Sequence, residues 1–323
     1  MRNVTLPSIA ATLGLVTLSP VQAYDLPPVN LGFTSFLDGG PPSGPGWYLQ
    51  QYVQFYRDGQ LKNASGGNLL LPTPQGLQEA EASANVGLTQ ILYQSNQALL
   101  WGGKWGMNLM LPYVGLGLDP SDNYALSVNS TGFGDLLLGP YLQWDPIMGP
   151  DGPRFMQRVE FQLIFPTGKY DSNKALNPGS NFFSFNPYWA ATVFFTPKWT
   201  ASWRLHYLWN AENDDPYEPY QLSGVNDIQA GQAVHVNFAS AYEVIPKTLR
   251  LGINGYYLKQ FTDTKWNGNS VADTQEQVLG LGPGLLYHLS PDTHLFFNAY
   301  WESNAENRPE GTRLNLRLVY HFH

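Results

Sequence analysis

Apolar and polar residues alternate through much of this chain. In residues 199–207 (WTASWRLHY) the odd positions are apolar or aromatic, whereas the even positions are small or polar and include Arg204 and His206. A period of two places these two sets of side chains on opposite faces of a β-strand. The same alternation recurs in residues 155–165, 234–243 and 313–322. The pattern therefore predicts an all-β protein.

Alternating segments bounded by turn residues predict twelve strands. They span residues 47–57, 82–93, 101–113, 132–145, 154–166, 182–195, 198–210, 231–244, 248–260, 275–288, 293–303 and 312–322. Short connections, at 94–100, 145–153, 196–198, 245–247 and 289–292, alternate with longer polar loops at 58–81, 114–131, 167–181, 211–230 and 261–274. A soluble β-sandwich shows the same periodicity, but this rhythm of connections is typical of a transmembrane antiparallel β-barrel, here of about 12 strands.

The first 23 residues have the features of a cleaved N-terminal signal peptide. Arg2 supplies the positive start, residues 9–18 an apolar stretch and residues 21–23 (VQA) a small-residue cleavage site. A buried N-terminal helix is the alternative interpretation. Residues 24–46 are expected to form an irregular lead-in that is periplasmic or plugs the barrel, and residues 47–323 the barrel itself. Such a chain is expected in the cell outer membrane of a Gram-negative bacterium.

The composition agrees with a membrane barrel and excludes other classes. The chain has 17 Phe, 19 Tyr and 10 Trp but only 13% charged residues, which suits aromatic girdles at two lipid interfaces. The absence of Cys excludes a disulfide scaffold and thiolate metal sites. A formal net charge of −8 makes nucleic acid a poor partner.

Several short motifs resemble those of a known bacterial family. They begin at residues 41–49 and 54–56, continue at 102–104 and 111–112, and are sharpest at 131–136 (TGFGDL), 165–171 (FPTGKYD) and 307–312 (NRPEGT). In this order they resemble the outer-membrane family named for the meta-cleavage pathway of phenol degradation, whose members are described as transporters. The resemblance implies a transport barrel near aromatic catabolism and no established set of binding residues. Barrels of this kind usually end on an aromatic residue, and this chain departs from that pattern because His323 follows Phe322.

If the apolar faces meet lipid, the polar faces line the lumen. The charged residues and histidines predicted to lie there are Lys104, Asp135, Arg158, Glu160, Arg204, His206, His235, Glu243, Arg250, Glu302, Arg313 and Arg317. They indicate either a water-filled pore with a transverse electric field or a plugged interior in which ion pairs satisfy one another.

Seven aromatic residues are also predicted to point into the lumen. They are Tyr52, Tyr56, Tyr141, Tyr188, Tyr256, Phe296 and Tyr300. Rings with a polar tip can contact a phenol-like solute, so these residues are candidate solute contacts. Simple filling of a narrow barrel is the alternative.

Glycine and proline interrupt some of the predicted strands, at Gly134, at Gly139 with Pro140, and at residues 282–284. Kinks and bulges of this kind are common in a curved barrel wall. A lateral exit for apolar solutes is the alternative interpretation of these breaks.

Taken together, these features predict a passive channel for small aromatic or amphipathic compounds and not an enzyme. The sequence contains no hydrolase, zinc or phosphate-loop motif, and no cofactor or metal is expected. A plugged structural or surface-binding barrel and a membrane-embedded hydrolase are the alternatives. The expected partners are outer-membrane lipid and lipopolysaccharide, the barrel-assembly machinery and a small hydrophobic or aromatic solute, without nucleic acid.

Overall fold

Twelve antiparallel strands close into one barrel in the computed structural model, which describes residues 25–41 and 43–322. The strands are β1 (Gly46–Leu61), β2 (Glu81–Leu100), β3 (Gly103–Asp119), β4 (Thr131–Phe133 and Leu136–Gln143), β5 (Gly152–Glu160 and Leu163–Phe165), β6 (Ser184–Phe185 and Tyr188–Phe194), β7 (Trp199–Asn210), β8 (Ala233–Ile245), β9 (Leu249–Gln260), β10 (Gln277–His288), β11 (Thr293–Glu306) and β12 (Pro309–Phe322). Each strand pairs with its sequence neighbours, and β12 pairs with β1, where Phe322 lies opposite Trp47. The predicted all-β antiparallel barrel is confirmed.

The two faces of each strand differ as the alternation predicts. On β7, Leu205 is 47% exposed on the outside, whereas the adjacent Arg204 and His206 are 6% and 1% exposed in the interior. Further apolar side chains cover the outer face, among them Trp199, Leu251, Ile253, Leu314, Leu316 and Leu318. A closed sheet pairs its backbone groups within the wall, so this apolar exterior is suited to lipid.

The connection between β2 and β3 differs from the prediction. The predicted turn at residues 94–100 is wrong, because β2 continues to Leu100 and the chain reverses at Trp101 and Gly102. Both residues have positive φ, of 49° and 76°, as two-residue hairpin turns require. Strands β11 and β12 are also longer than predicted, since only residues 307–308 separate them.

Three neighbouring strands, β4, β5 and β6, are each interrupted once. Gly134 lies in the break of β4, where its N–H donates to the Pro112 carbonyl over 2.9 Å, and the Phe161 N–H donates to the Pro140 carbonyl over 3.0 Å in the break of β5. These bonds connect neighbouring strands across the interruptions. The predicted breaks at Gly139 with Pro140 and at residues 282–284 are wrong, because β4 and β10 are continuous there.

The connections between the barrel strands carry the remaining elements. Two hairpins extend the connections, one of Leu70–Thr73 with Gly76–Glu79 and one of Ile147–Gly149 with the start of β5. Short strands Ile228–Gln229, Lys265–Trp266 and Asn269–Ser270 form a separate small sheet, and Glu218–Leu222 forms the helix α1. None of the described residues belongs to a helix that is long and apolar enough to cross a membrane. Because short turns mark the periplasmic end of such barrels, the long loops mark the extracellular end.

The chain before β1 runs through the barrel. This lumen segment, residues 25–41 and 43–45, begins near the extracellular end, where the Leu26 N–H donates to a Glu276 carboxylate oxygen over 3.1 Å. It ends near the periplasmic turn before β11, where the Ser43 hydroxyl donates to the Pro291 carbonyl over 2.7 Å. Leu31 and Phe36 are only 2% and 1% exposed inside the barrel. The predicted signal peptide lies outside the described residues.

Candidate functional site: the barrel lumen

Polar side chains on one side of the lumen hold the backbone of the lumen segment. The Asn237 side chain accepts from the Gly32 N–H over 2.8 Å and donates to the Asn30 carbonyl over 2.9 Å. Tyr300 and Asn315 both donate to the Gly32 carbonyl, over 2.9 and 3.0 Å. We call Asn237, Tyr300 and Asn315 the docking side. Buried backbone groups need hydrogen-bond partners, and the docking side supplies them to the irregular backbone of the lumen segment.

An ion pair anchors the segment lower in the barrel. The Arg204 guanidinium binds both carboxylate oxygens of Asp38, each at 2.7 Å, and its carbon lies 4.2 Å from the centre of the Tyr188 ring. Both side chains are more than nine-tenths buried. Because a bidentate guanidinium–carboxylate contact is strong and directional, this pair fixes the path of the segment.

The opposite side of the lumen is apolar and faces a cavity of about 380 Å³. Leu88, Met110, Val114, Leu137 and Ile164, which we call the cavity side, point into it from β2, β3, β4 and β5. Phe33 of the lumen segment and the loop residues Leu176 and Tyr217 close it from other directions. This upper cavity lies in the extracellular half of the barrel, since Glu276 and Arg308 line its far end.

A second cavity of about 40 Å³ lies towards the periplasm. Tyr52 and Arg204 line both cavities, so these two side chains lie between them. The walls of the lower cavity are more polar and include Arg158 and Arg317. The lumen thus combines an apolar chamber with a cationic one beneath it.

Two of the predicted lumen carboxylates, Glu302 and Asp135, accept several hydrogen bonds within the protein. Glu302 accepts hydrogen bonds from Tyr56, Tyr256 and Arg313, at 2.7, 2.7 and 2.9 Å, and its side chain is fully buried. Asp135, at the break of β4, accepts from the backbone N–H groups of residues 168 and 180 over 2.9 and 2.8 Å. Glu302 thus stabilises the upper wall, and Asp135 stabilises the loop between β5 and β6.

Three predicted lumen residues lie at the periplasmic rim. Lys104 pairs with Asp145 over 2.6 Å, and Arg250 pairs with Glu243 over 3.2 Å. Neither pair lines the upper or the lower cavity. The Lys104 pair therefore connects neighbouring turns, whereas Glu243 and Arg250 lie opposite each other within the β8–β9 hairpin.

Two histidines stack inside the wall. The rings of His206 and His235 lie 4.0 Å apart with an angle of 14° between their planes, and both residues are 1% exposed. Nε2 of His235 lies 3.1 Å from the Asn186 side-chain oxygen. Among the described residues, no group of three or more His, Asp or Glu side chains is arranged to hold a metal ion.

The seven predicted aromatic contacts are all buried, with exposures of 4% or less. Only three of them line the cavities described above: Tyr52 and Tyr56 the upper one, and Tyr52 and Phe296 the lower one. Sequence reasoning missed the apolar cavity side and Asp38. A signal for the former exists, because segments such as residues 107–111 (MNLML) are apolar on more than one face.

Acidic groups cluster where the lumen segment enters from the extracellular end. Burial and the neighbouring Glu276 carboxylate raise the pKa of Asp25 from 3.8 to about 7. Burial also raises the pKa of Glu276, against the opposing effect of its 2.9 Å ion pair with Arg308. The two carboxylates therefore share a site that favours at least one proton.

The fold is similar to that of known outer-membrane proteins. An outer-membrane channel from Pseudomonas putida F1 is 20% identical, with a TM-score of 0.71 over 91% of this chain and 100% of that one. The translocator domain of the autotransporter NalP from Neisseria meningitidis is 9% identical, with a TM-score of 0.46 over 86% and 89% of the two chains. The CymD monoaromatic hydrocarbon channel is 8% identical, with a TM-score of 0.41 over 87% and 89%. The first likeness supports the fold, and the other two carry no argument.

The sequence comparisons address the family directly. The search of curated proteins finds no match. A family model described as "Putative MetA-pathway of phenol degradation" matches residues 59–318, which is most of the chain. The resemblance seen in the sequence motifs is confirmed, and the chain belongs to this family.

Proposed function

We propose that this protein is a passive outer-membrane channel that admits small aromatic or amphipathic compounds to the periplasm. The upper cavity is the observation that carries the proposal. Polar residues normally line the interior of such barrels, yet here five apolar side chains face about 380 Å³ of space. A cavity of this size and lining suits a compact ligand with an apolar body.

The aromatic residues around the cavity favour a ring-bearing solute. Phe33 and Tyr52 meet edge to face at 5.7 Å between ring centres, at the lower end of the upper cavity. A solute ring placed beside them gains similar contacts, worth about 0.5–1.5 kcal/mol beyond the burial of area. The hydroxyl of Tyr52 donates to Gln90 over 2.7 Å, so the ring presents a polar tip towards the lower cavity.

The lumen segment restricts the path without filling it. It occupies the docking side, whereas the cavity side stays open between the segment and the wall. Because Tyr52 and Arg204 line both cavities, a solute that leaves the upper cavity downwards must pass these two side chains to reach the lower one. The axial route therefore passes between Arg204, its partner Asp38 and Tyr52.

The membrane setting follows from the same surfaces. Lipid solvates the apolar exterior, and the acidic extracellular loops are proposed to contact lipopolysaccharide through divalent ions. The proposal places β12, with its outward Tyr320 and Phe322, in contact with the barrel-assembly machinery. The role proposed for the lumen is transport and not catalysis.

Single-channel recording of the refolded protein in planar bilayers tests the proposal. We expect discrete conductance steps that phenol in the bath interrupts. The substitution Leu88→Trp places a large side chain in the upper cavity and should weaken the interruptions. The matched control Leu205→Trp changes an outward leucine and should behave like the wild type, since lipid accepts either side chain.

A plugged barrel is the second candidate, and a specific observation favours it. The lumen segment makes hydrogen bonds or ion pairs to strands from several parts of the wall, including Gln54, Gln143, Thr192 and Arg204. A folded barrel that never conducts, in wild-type form, would establish this candidate and contradict the channel. Folding is checked separately by the shift in gel mobility between unheated and boiled samples.

A further inference from the structure

Three arginine side chains surround the lower cavity. Arg158, Arg204 and Arg317 are 4%, 6% and 8% exposed and all contribute to its lining. Asp38 is the acidic residue in that lining. A chamber of about 40 Å³ therefore has three guanidinium groups beside one carboxylate.

The three arginines are not equally paired. Arg204 binds Asp38, but neither Arg158 nor Arg317 forms an ion pair with any described residue. Arg158 donates from Nε to the Gln143 side-chain oxygen over 3.2 Å and lies over the Tyr141 ring at 4.0 Å. Its hydrogen bond to a neutral amide does not neutralise the charge.

Arg317 is the least satisfied of the three. Its guanidinium carbon lies 3.7 Å from the centre of the Phe296 ring and 5.7 Å from that of Tyr52. Its Nε is buried and has no hydrogen-bond partner among the described residues. A buried cation without an anionic partner is costly, so this arrangement favours the arrival of an anion.

The nearby acidic residue Glu160 does not supply that anion. Its two carboxylate oxygens accept hydrogen bonds from the Asn108 amide, over 3.1 Å, and from the Tyr188 hydroxyl. Glu160 does not line the lower cavity. Glu160 therefore lies within the wall, where it attracts Arg158 and Arg204, and adds no carboxylate to the lining of the lower cavity.

The size and position of the chamber define the ligand. A cavity of about 10–15 Å³ holds one water molecule. The lower cavity, of about 40 Å³, therefore has room for a group as small as a carboxylate. Above it, the upper cavity accepts an apolar body, and Tyr52 and Arg204 are the side chains that lie between the two spaces. Asp38 shows how a carboxylate sits there, with both oxygens on one guanidinium.

We propose that the lower cavity binds the carboxylate of an amphipathic monocarboxylic acid, whose apolar body occupies the upper cavity. The inference rests on the proposed channel function and names its preferred solute class. Arg317 and Arg158 bind the incoming carboxylate. The Arg204 guanidinium already binds Asp38, a carboxylate of the protein itself. An acid that competes with Asp38 for Arg204 loosens the lumen segment at that point.

The test compares benzoate with benzyl alcohol, which has a similar size and no charge at neutral pH. Both are added to single channels of the wild-type protein, and the apparent affinity of current interruption is measured for each. We expect tighter interruption by benzoate. The substitution Arg317→Gln should reduce the benzoate affinity about tenfold, as expected for loss of a charge-assisted hydrogen bond, and leave that of benzyl alcohol unchanged.

Arg57→Gln is the matched control. It removes the same charge from an exposed side chain that lines neither cavity, so the preference for benzoate should stay at the wild-type value. A second variant, Asp38→Asn, frees Arg204 and should raise the benzoate affinity. It also keeps the inference testable if the Arg317 variant does not fold.

The outcomes separate the two proposals. Channels that neither aromatic compound interrupts contradict the proposed function itself. Channels that both compounds interrupt with equal affinity, with no effect of Arg317→Gln or Asp38→Asn, support the channel and overturn the carboxylate site.

Discussion

The docking side and the cavity side of the lumen share one architecture and differ in their side chains. Both consist of inward residues at alternate strand positions. On the docking side, amides and a phenol bind the backbone of the lumen segment, and these three side chains line neither cavity. On the cavity side, Met110 and Val114 offer no hydrogen bonds, and the segment leaves an open chamber. The placement of hydrogen-bonding groups therefore decides which half of the barrel is filled.

Removal of the lumen segment should have the largest effect on this contrast. Deletion of residues 26–41 takes away the filling of the docking side, so we expect single-channel conductance to rise several-fold. The barrel wall itself remains, because its strands pair only with one another. A folded deletion variant with wild-type conductance would show that the segment does not restrict the pore.

A single substitution on the docking side should have the next largest effect on stability and conductance. Asn237→Ala leaves the buried Gly32 N–H without its acceptor, which costs about 1–3 kcal/mol. The free energy of unfolding, measured by urea titration in lipid vesicles, should fall by that amount. The conductance should rise as the segment loosens. No change in either quantity would mean that the segment does not depend on this contact.

The equivalent change on the cavity side should be smaller. Val114→Ala removes two methyl groups that already border empty space, so we expect a loss below about 1 kcal/mol in the same titration. The larger cavity should admit bulkier aromatic solutes, visible as current interruption by naphthol. A loss as large as that of Asn237→Ala would remove the contrast between the two sides.

The smallest effect concerns pH at the extracellular end of the segment. The pKa of Asp25 is about 7 in the folded protein and 3.8 for the free side chain, so the docked end is favoured by protonation. The contribution of Asp25 to docking of this end is complete below about pH 4 and is lost as the pH rises through about 7. After correction for intrinsic rates, amide exchange at Leu26 should be faster at about pH 8 than at about pH 5.

The substitution Asp25→Asn provides the control for this prediction. It removes the titrating group, so the protection of Leu26 should no longer differ between the two pH values. If the wild type already shows equal protection at both, Asp25 does not control the docked end.

Much of the wall could be predicted from the sequence because the strands obey a period of two. Arg204 and Leu205 take the inward and outward places that alternation assigns. The turn at Trp101 and Gly102 was missed, since the polar residues before it suggested an earlier reversal.

The interior was less predictable for two physical reasons. Alternation identifies an inward residue by its polarity, so it does not mark the inward Met110 and Leu137, which lie in runs that are apolar on both faces. The lumen segment has no periodicity, and its path depends on tertiary contacts such as Asp38 with Arg204, which lie 166 residues apart. Propensity and pattern do not encode contacts of that kind.

A crystal structure of the protein with 4-bromobenzoate tests the central claim most directly. The account predicts anomalous bromine density among Leu88, Met110 and Val114, the carboxylate directed towards Arg317, and the lumen segment still bound to Asn237. Bromine density elsewhere in the barrel, or an empty upper cavity at a saturating concentration, would contradict it.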